Sequence, residues 1–320
     1  MLSRTADHLY WMSRYTERAE NLARLLDVTY QMSLVPKSLV AENQNWGAIL
    51  ALNSIEQAFF EHYDEVNAEN VLRFMVLDPN NISSIYSCLR AARENAHAVR
   101  GTLTAETWES CNMTWLEVRE QQFEPIMAAG IGQFFEWVKL RAAVIRGVTF
   151  GTMLQDEALS FIRLGGYLER ADNTARILDV KFHVLDGEGA RPDEAEGEEG
   201  ASDFYRWGAL LRSVSAFEVY RKVYRDAITP ARVAELLMLR LDMPRSLHAC
   251  LRGVVRTLDE IRNAQSAETE RLAGLLHSRI HYARIDDILA AGLHEYLADF
   301  MDRIYELGNG VSKDFLLPQH

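Results

Sequence analysis

The chain has 320 residues, 48% hydrophobic and 25% charged. That balance can bury a large core and excludes a disordered or fibrous chain. The formal net charge of −12 argues against a nucleic-acid partner.

The first predicted element spans 3–34 and contains YTERAENLARLLDV at 15–28. On a 3.6-residue helix, Tyr10, Arg14, Glu17, Asn21, Arg24 and Val28 fall along one stripe, with Ala19, Ala23 and Leu26 opposite. Periodicity then predicts helices at 46–63, 68–77, 82–101, 104–121 and 130–150. A second series follows at 154–185, 204–226, 230–241, 244–263, 266–284 and 286–308. Thr229-Pro230 has the N-cap-then-proline form of a helix start, and Asp242-Met243-Pro244 marks a break. No segment alternates as a strand would.

The second series repeats the first. Shifted by 152 residues, 15–28 falls on 167–180, YLERADNTARILDV, with ten of fourteen positions identical. Later matches fall at 161–162: Trp46-Gly47-Ala48 with Trp207-Gly208-Ala209, Cys88-Leu89-Arg90 with Cys250-Leu251-Arg252, and Gly130 with Gly292. One duplication with one insertion accounts for all of them. The expected fold is therefore all-α, a helical bundle of two tandem modules, 1–152 and 153–320, related by a pseudo-twofold axis. The insertion is the acidic stretch 187–202. Residues 186–203 hold eight acids and one arginine, a net of −7, which leaves −5 for the rest. Such a composition cannot bury apolar surface and predicts a solvated loop.

A surface helix ordinarily keeps one apolar face and a variable charged one. Here Glu17, Asn21 and Arg24 recur as Glu169, Asn173 and Arg176, so both faces should touch something. Facing copies would allow Arg24 to meet Glu169 and Arg176 to meet Glu17, since the arginine fork binds a carboxylate through two bonds. The same residues could instead form a ligand site. Glu17 and Glu169 would then serve as acid and base groups, flanked by Arg18, Arg24, Arg170 and Arg176.

Other chemistry finds little support. His277 and His281 have one-turn metal-ligand spacing, but there is no HExxH and no third ligand is apparent; Asp286 and Asp287 are the nearest acids in sequence. They read as ordinary helix histidines, and no metal is expected. Carboxylate metal bundles need Glu-x-x-His pairs, which are absent. There is no phosphate loop and no nucleophile signature, so no cofactor and no catalytic residue is assigned. Gly165-Gly166 reads as a close-packing device, and Trp46 and Trp207 as core anchors. Cys88, Cys111 and Cys250 lack CxxC spacing and fit a reducing compartment. No apolar stretch approaches the ~20 residues that span a bilayer, and MLSRTADHLYW has no leader pattern. A cytoplasmic location without a membrane partner is expected.

MLSRTADHLYWMSRYTERAENLARLLDV and GYLERADNTARILDV resemble the two signatures of the bacterial alpha-E domain family, an all-helical family named for a Glu-Arg motif. The resemblance covers essentially the whole chain. It implies Glu17-Arg18 and Glu169-Arg170 as the named pairs. It also implies two partners, a circularly permuted ATP-grasp protein and a transglutaminase-like peptidase, in a peptide-ligation or peptide-tagging system. The expected role is a non-enzymatic accessory or scaffold that binds the ATP-grasp protein or its peptide substrate. An enzyme using the paired glutamates and a structural homo-oligomer are the alternatives. Deleting 187–202 should leave the melting temperature nearly unchanged; a loss of several degrees would show that the segment packs.

Overall fold

A computed structural model describes residues 1–34, 39–187 and 207–317, and among these there is no strand. Beyond Gly187, the acidic segment 187–202 lies outside the described residues. The first half contains α1 (Ser3–Ser33), α2 (Leu39–Leu52), α3 (Glu56–Phe60), α4 (Ala68–Val76), α5 (Ile85–Ala98), α6 (Ala105–Val118), α7 (Phe123–Ala129) and α8 (Ile131–Thr152). The second contains α9 (Glu157–Gly187), α10 (described over 207–213), α11 (Phe217–Tyr224), α12 (Pro230–Met238), α13 (Leu247–Glu260), α14 (Ala267–His281), α15 (Ile285–Ala291) and α16 (Leu293–Val311). From α4 and α12 onward, each helix of the second half begins 162 residues after its counterpart.

The boundaries follow local chemistry. Ser84 and Ser246 each accept a hydrogen bond from the backbone N–H three residues on, which caps α5 and α13. Thr229 does the same for α12, with Pro230 at its first turn. Three breaks interrupt helices that periodicity predicts as continuous. Ser54 and Ser215 adopt left-handed conformations, with φ of 54° and 56°, and end α2 and α10 where the pattern suggested continuous helices. Gly292, at φ 105°, splits the expected helix 286–308 into α15 and α16, and Gly130, at φ 95°, separates α7 from α8 in the same way.

At the centre α1 and α9 lie side by side and run in the same direction: Tyr10 meets Gly165, and Glu17 meets Arg170 further along. Helix α1 also packs on α5 and α8, and α9 on α13 and α16. One continuous core runs through both halves, with Leu9, Leu26, Leu168 and Leu178 fully buried along the central pair. Trp46 and Trp207 are both buried, as core anchors should be. Gly165 sets the approach of α1 to α9. A Cβ there would overlap the carbonyl oxygen of Tyr10 and stand 3.3 Å from Arg14 Cγ.

Three glycine substitutions test this packing and backbone geometry. Gly165→Ala should lower stability by about 1–3 kcal/mol through overpacking, despite alanine's better helix propensity. Gly130→Ala meets no neighbour but forces a strained φ, costing about 1–3 kcal/mol. Gly147→Ala, inside α8 with open space around its Cβ, should instead stabilise by about 0.5–1 kcal/mol. Thermal unfolding of the three variants checks the signs.

Candidate functional site

The repeated Glu-Arg helices face each other across the α1–α9 seam, and the pairs engage crosswise. Arg18 donates from Nε to Glu169 Oε1 at 2.6 Å and from Nη2 to Oε2 at 3.1 Å. Arg170 donates from Nε and Nη2 to the two oxygens of Glu17, at 2.9 and 2.8 Å. Both carboxylates are therefore held by a two-bond fork from the opposite helix. Side-by-side parallel packing causes this, because it sets residue 18 against 169 and residue 17 against 170.

The expected pairs Arg24–Glu169 and Arg176–Glu17 do not form. Arg24 bonds Glu20 at 2.6 Å and Arg176 bonds Asp172 at 2.8 Å, each one turn back on its own helix. Asn21 accepts a bond from Arg245 at 2.9 Å, while its Nδ2 is buried without a partner. Asn173 lines a cavity. Three further arginines complete the network, and the stripe on α1 alone does not assign them these partners. Arg14 donates to Glu169 at 2.7 Å. Arg245, just ahead of α13, bonds Glu17, Glu20 and Asn21, each at 2.9 Å. Arg146 of α8 bonds Glu20 and lies 3.6 Å from Glu17. Arg146 sits on another helix and Arg245 in the turn before α13, where the periodicity of α1 carries no signal. Alignment of the two halves offers the only clue, since Arg245 stands opposite Ser83 and Arg146 opposite Gly308.

Glu17, Glu20 and Glu169 are at most 4% exposed. Burial alone would raise the carboxyl pKa of Glu17 and Glu169, but their arginines overcome it and hold both below the usual range. Burial pushes the Cys88 and Cys111 thiols up to about 12 and Cys250 up to about 11, so none of these thiols is an activated nucleophile.

A cavity opens on each side of the seam. The first, about 200 Å³, has Glu17 and Arg170 in its wall together with Arg146, Arg163, Arg245 and the Ser13 hydroxyl. Four arginines there face one carboxylate. The second, about 210 Å³, has Arg18 and Glu169 in its wall with Asp172, Asn173 and Arg176, and its two arginines balance two acids. Away from the seam, the reading of His277 and His281 as a pair without a third ligand fails in space. His248, in the first turn of α13, brings its ring to both.

Removing one partner of a buried ion pair costs on the order of 3–5 kcal/mol, so Glu17→Ala should be strongly destabilising and Glu17→Gln less so. The depressed carboxyl pKa fixes the sign with pH. The unfolded chain binds these protons more readily, so stability is full above the ordinary 4.5 and is lost as pH falls through the lower folded value. The melting temperature of the parent protein should fall steeply below about pH 4.5, and that of a Glu17→Gln, Glu169→Gln variant less steeply.

The sequence matches, over residues 1–316, the Alpha-E family, described as a predicted alpha-helical domain with a conserved ER motif. It is similar to uncharacterized proteins of Mycobacterium bovis and of two strains of Mycobacterium tuberculosis, with 22% identity over 324 residues in each case. The alignment covers 94% of this chain but 35% of each relative, so the chain spans about a third of their length. No solved structure matches. No helix among the described residues is long and apolar enough to cross a membrane. The chain therefore belongs to the Alpha-E family.

Proposed function

We propose that the protein is a non-enzymatic accessory of a bacterial, cytoplasmic ATP-grasp peptide-ligation or peptide-tagging system, built from two pseudo-twofold-related modules that clamp together through the ER pairs. In this reading the first cavity receives the carboxylate of a peptide substrate, or of an acidic side chain on the ATP-grasp partner. The supporting observation is the excess of arginine in its lining: Arg146, Arg163, Arg170 and Arg245 stand in the wall with Glu17 as the one carboxylate there, although Arg146 and Arg245 also bond Glu20 behind it. Guanidinium forks recognise carboxylates in that setting, and partial burial strengthens the attraction.

The acid/base alternative draws no support from the glutamates. A general acid or base works best with a pKa near the operating pH. Glu17 and Glu169 are instead held ionised, with both oxygens of each engaged.

Arg163 separates binding from folding. It lines the cavity and bonds Gln155 at 2.6 Å, outside the glutamate network. Arg163→Gln should leave the melting temperature within about a degree while weakening a peptide carboxylate or the ATP-grasp partner about tenfold, the loss expected for one charge-assisted hydrogen bond. Co-purification with the ATP-grasp protein, with ATP hydrolysis measured in the presence and absence of this chain, tests the partnership. Absence of a complex and of any change in hydrolysis would contradict it.

A further inference from the structure

Helix α13 ends its first turn where α14 completes its last, and three histidines meet there. His281 Nδ1 lies 3.2 Å from His248 Nε2, and one ring nitrogen from each of His248, His277 and His281 lies within 4.8 Å of those of the other two. The rings stand 5.2–5.8 Å apart between centroids. Two nitrogens bound about 2.0–2.1 Å from a tetrahedral ion sit about 3.3 Å apart, so the His248–His281 edge already has that length.

The protonation pattern suits ligation. His248 Nδ1 lies 2.9 Å from the Leu239 carbonyl oxygen, which can only accept; Nδ1 is therefore the donor, and Nε2 carries the lone pair that faces His281 Nδ1 and accepts from it in the absence of an ion. Metal-binding histidines are commonly fixed through such a backbone bond. His277 Nε2 is buried with no hydrogen-bond partner. A buried polar atom of this kind costs about 1–3 kcal/mol when left unpaired, and a metal ion would satisfy it. His248 is buried, His277 half-buried and His281 exposed, so the cluster is open to solvent on one side.

A packing role alone does not call for histidine here. The positions 162 residues earlier carry Tyr86, Trp115 and Arg119. There the Tyr86 and Trp115 rings pack edge to face at 5.1 Å. The first half fills this corner with an aromatic pair, and the second half places nitrogen donors at all three positions.

We propose that His248, His277 and His281 form a binding site for a divalent transition-metal ion, Zn²⁺ by its preference for tetrahedral imidazole coordination. Three neutral ligands leave the ion its full charge and one position for water or an anion. No acidic side chain belongs to the cluster among the described residues.

The full-length chain, stripped with EDTA, is titrated with Co²⁺, whose visible absorption reports coordination geometry. One ion per chain with an intense tetrahedral band is expected. His281→Gln and His277→Gln should each weaken binding at least tenfold, since even the hydrogen-bonding partners of metal ligands are commonly worth about 10–100-fold in affinity. His62→Gln, on the other half, should change nothing. His281 is exposed at the end of α14, so its variant stays folded, which circular dichroism verifies. His248→Gln is kept as the second variant because loss of the Leu239 bond could disturb α13. A pale octahedral spectrum, no saturable binding, or binding unchanged in His281→Gln and His277→Gln would each overturn the site.

Discussion

Buried carboxylates are tolerated in a protein interior only when cations meet them, and this structure is arranged around that requirement. Glu17, Glu20 and Glu169 sit at the α1–α9 seam, where burial removes water as a partner. Each must be reached by guanidinium groups, and the helix positions follow from that need. Gly165 lets the two long helices approach closely enough for Arg18 and Arg170 to cross the seam. Helix α8 and the start of α13 must then be placed so that Arg146 and Arg245 close the network from outside. Displacing any of these elements would leave a buried charge unmatched. The apolar core supplies the bulk of the stability, and the charge network selects one packing of the seam.

The network also explains why the two sides of the seam differ. The Glu17 side receives Arg146 and Arg245, where the corresponding positions of the other half hold Gly308 and Ser83. The Glu169 side receives Arg14, opposite Gly166. Two similar helices thus frame one cationic cavity and one neutral polar cavity of nearly equal size. Two similar helices with unequal charge around them can hold an anion on one side while the other side stays neutral, which is how the proposed accessory role would arise from a repeated sequence.

Much of the fold was legible because helices announce themselves locally. The 3.6-residue periodicity, the Thr229-Pro230 start and the 152- and 162-residue offsets depend on neighbours in sequence. The breaks at Ser54, Ser215 and Gly292 were missed because one left-handed residue interrupts a helix without disturbing its apolar pattern. The polar residues of the site were legible as a stripe, but their partners were not. Glu17, Asn21 and Arg24 share one helix face, which suggested that Arg24 would cross the seam. The acid one turn back captured it, and the adjacent Arg18 crossed instead. Arg146, Arg245 and His248 owe their roles to tertiary placement alone. His248 lies 29 residues before His277, and no helical spacing joins them.

The crosswise pairing is tested most directly by double-mutant cycles on thermal or denaturant unfolding, comparing Arg18 with Glu169 and Arg24 with Glu169. Arg18 and Glu169 share two hydrogen bonds, so their coupling energy should be on the order of 1–3 kcal/mol. Arg24 bonds Glu20, so its coupling to Glu169 should stay within the roughly 0.5 kcal/mol expected of independent sites. Equal couplings, or a larger one for Arg24, would contradict the seam described here.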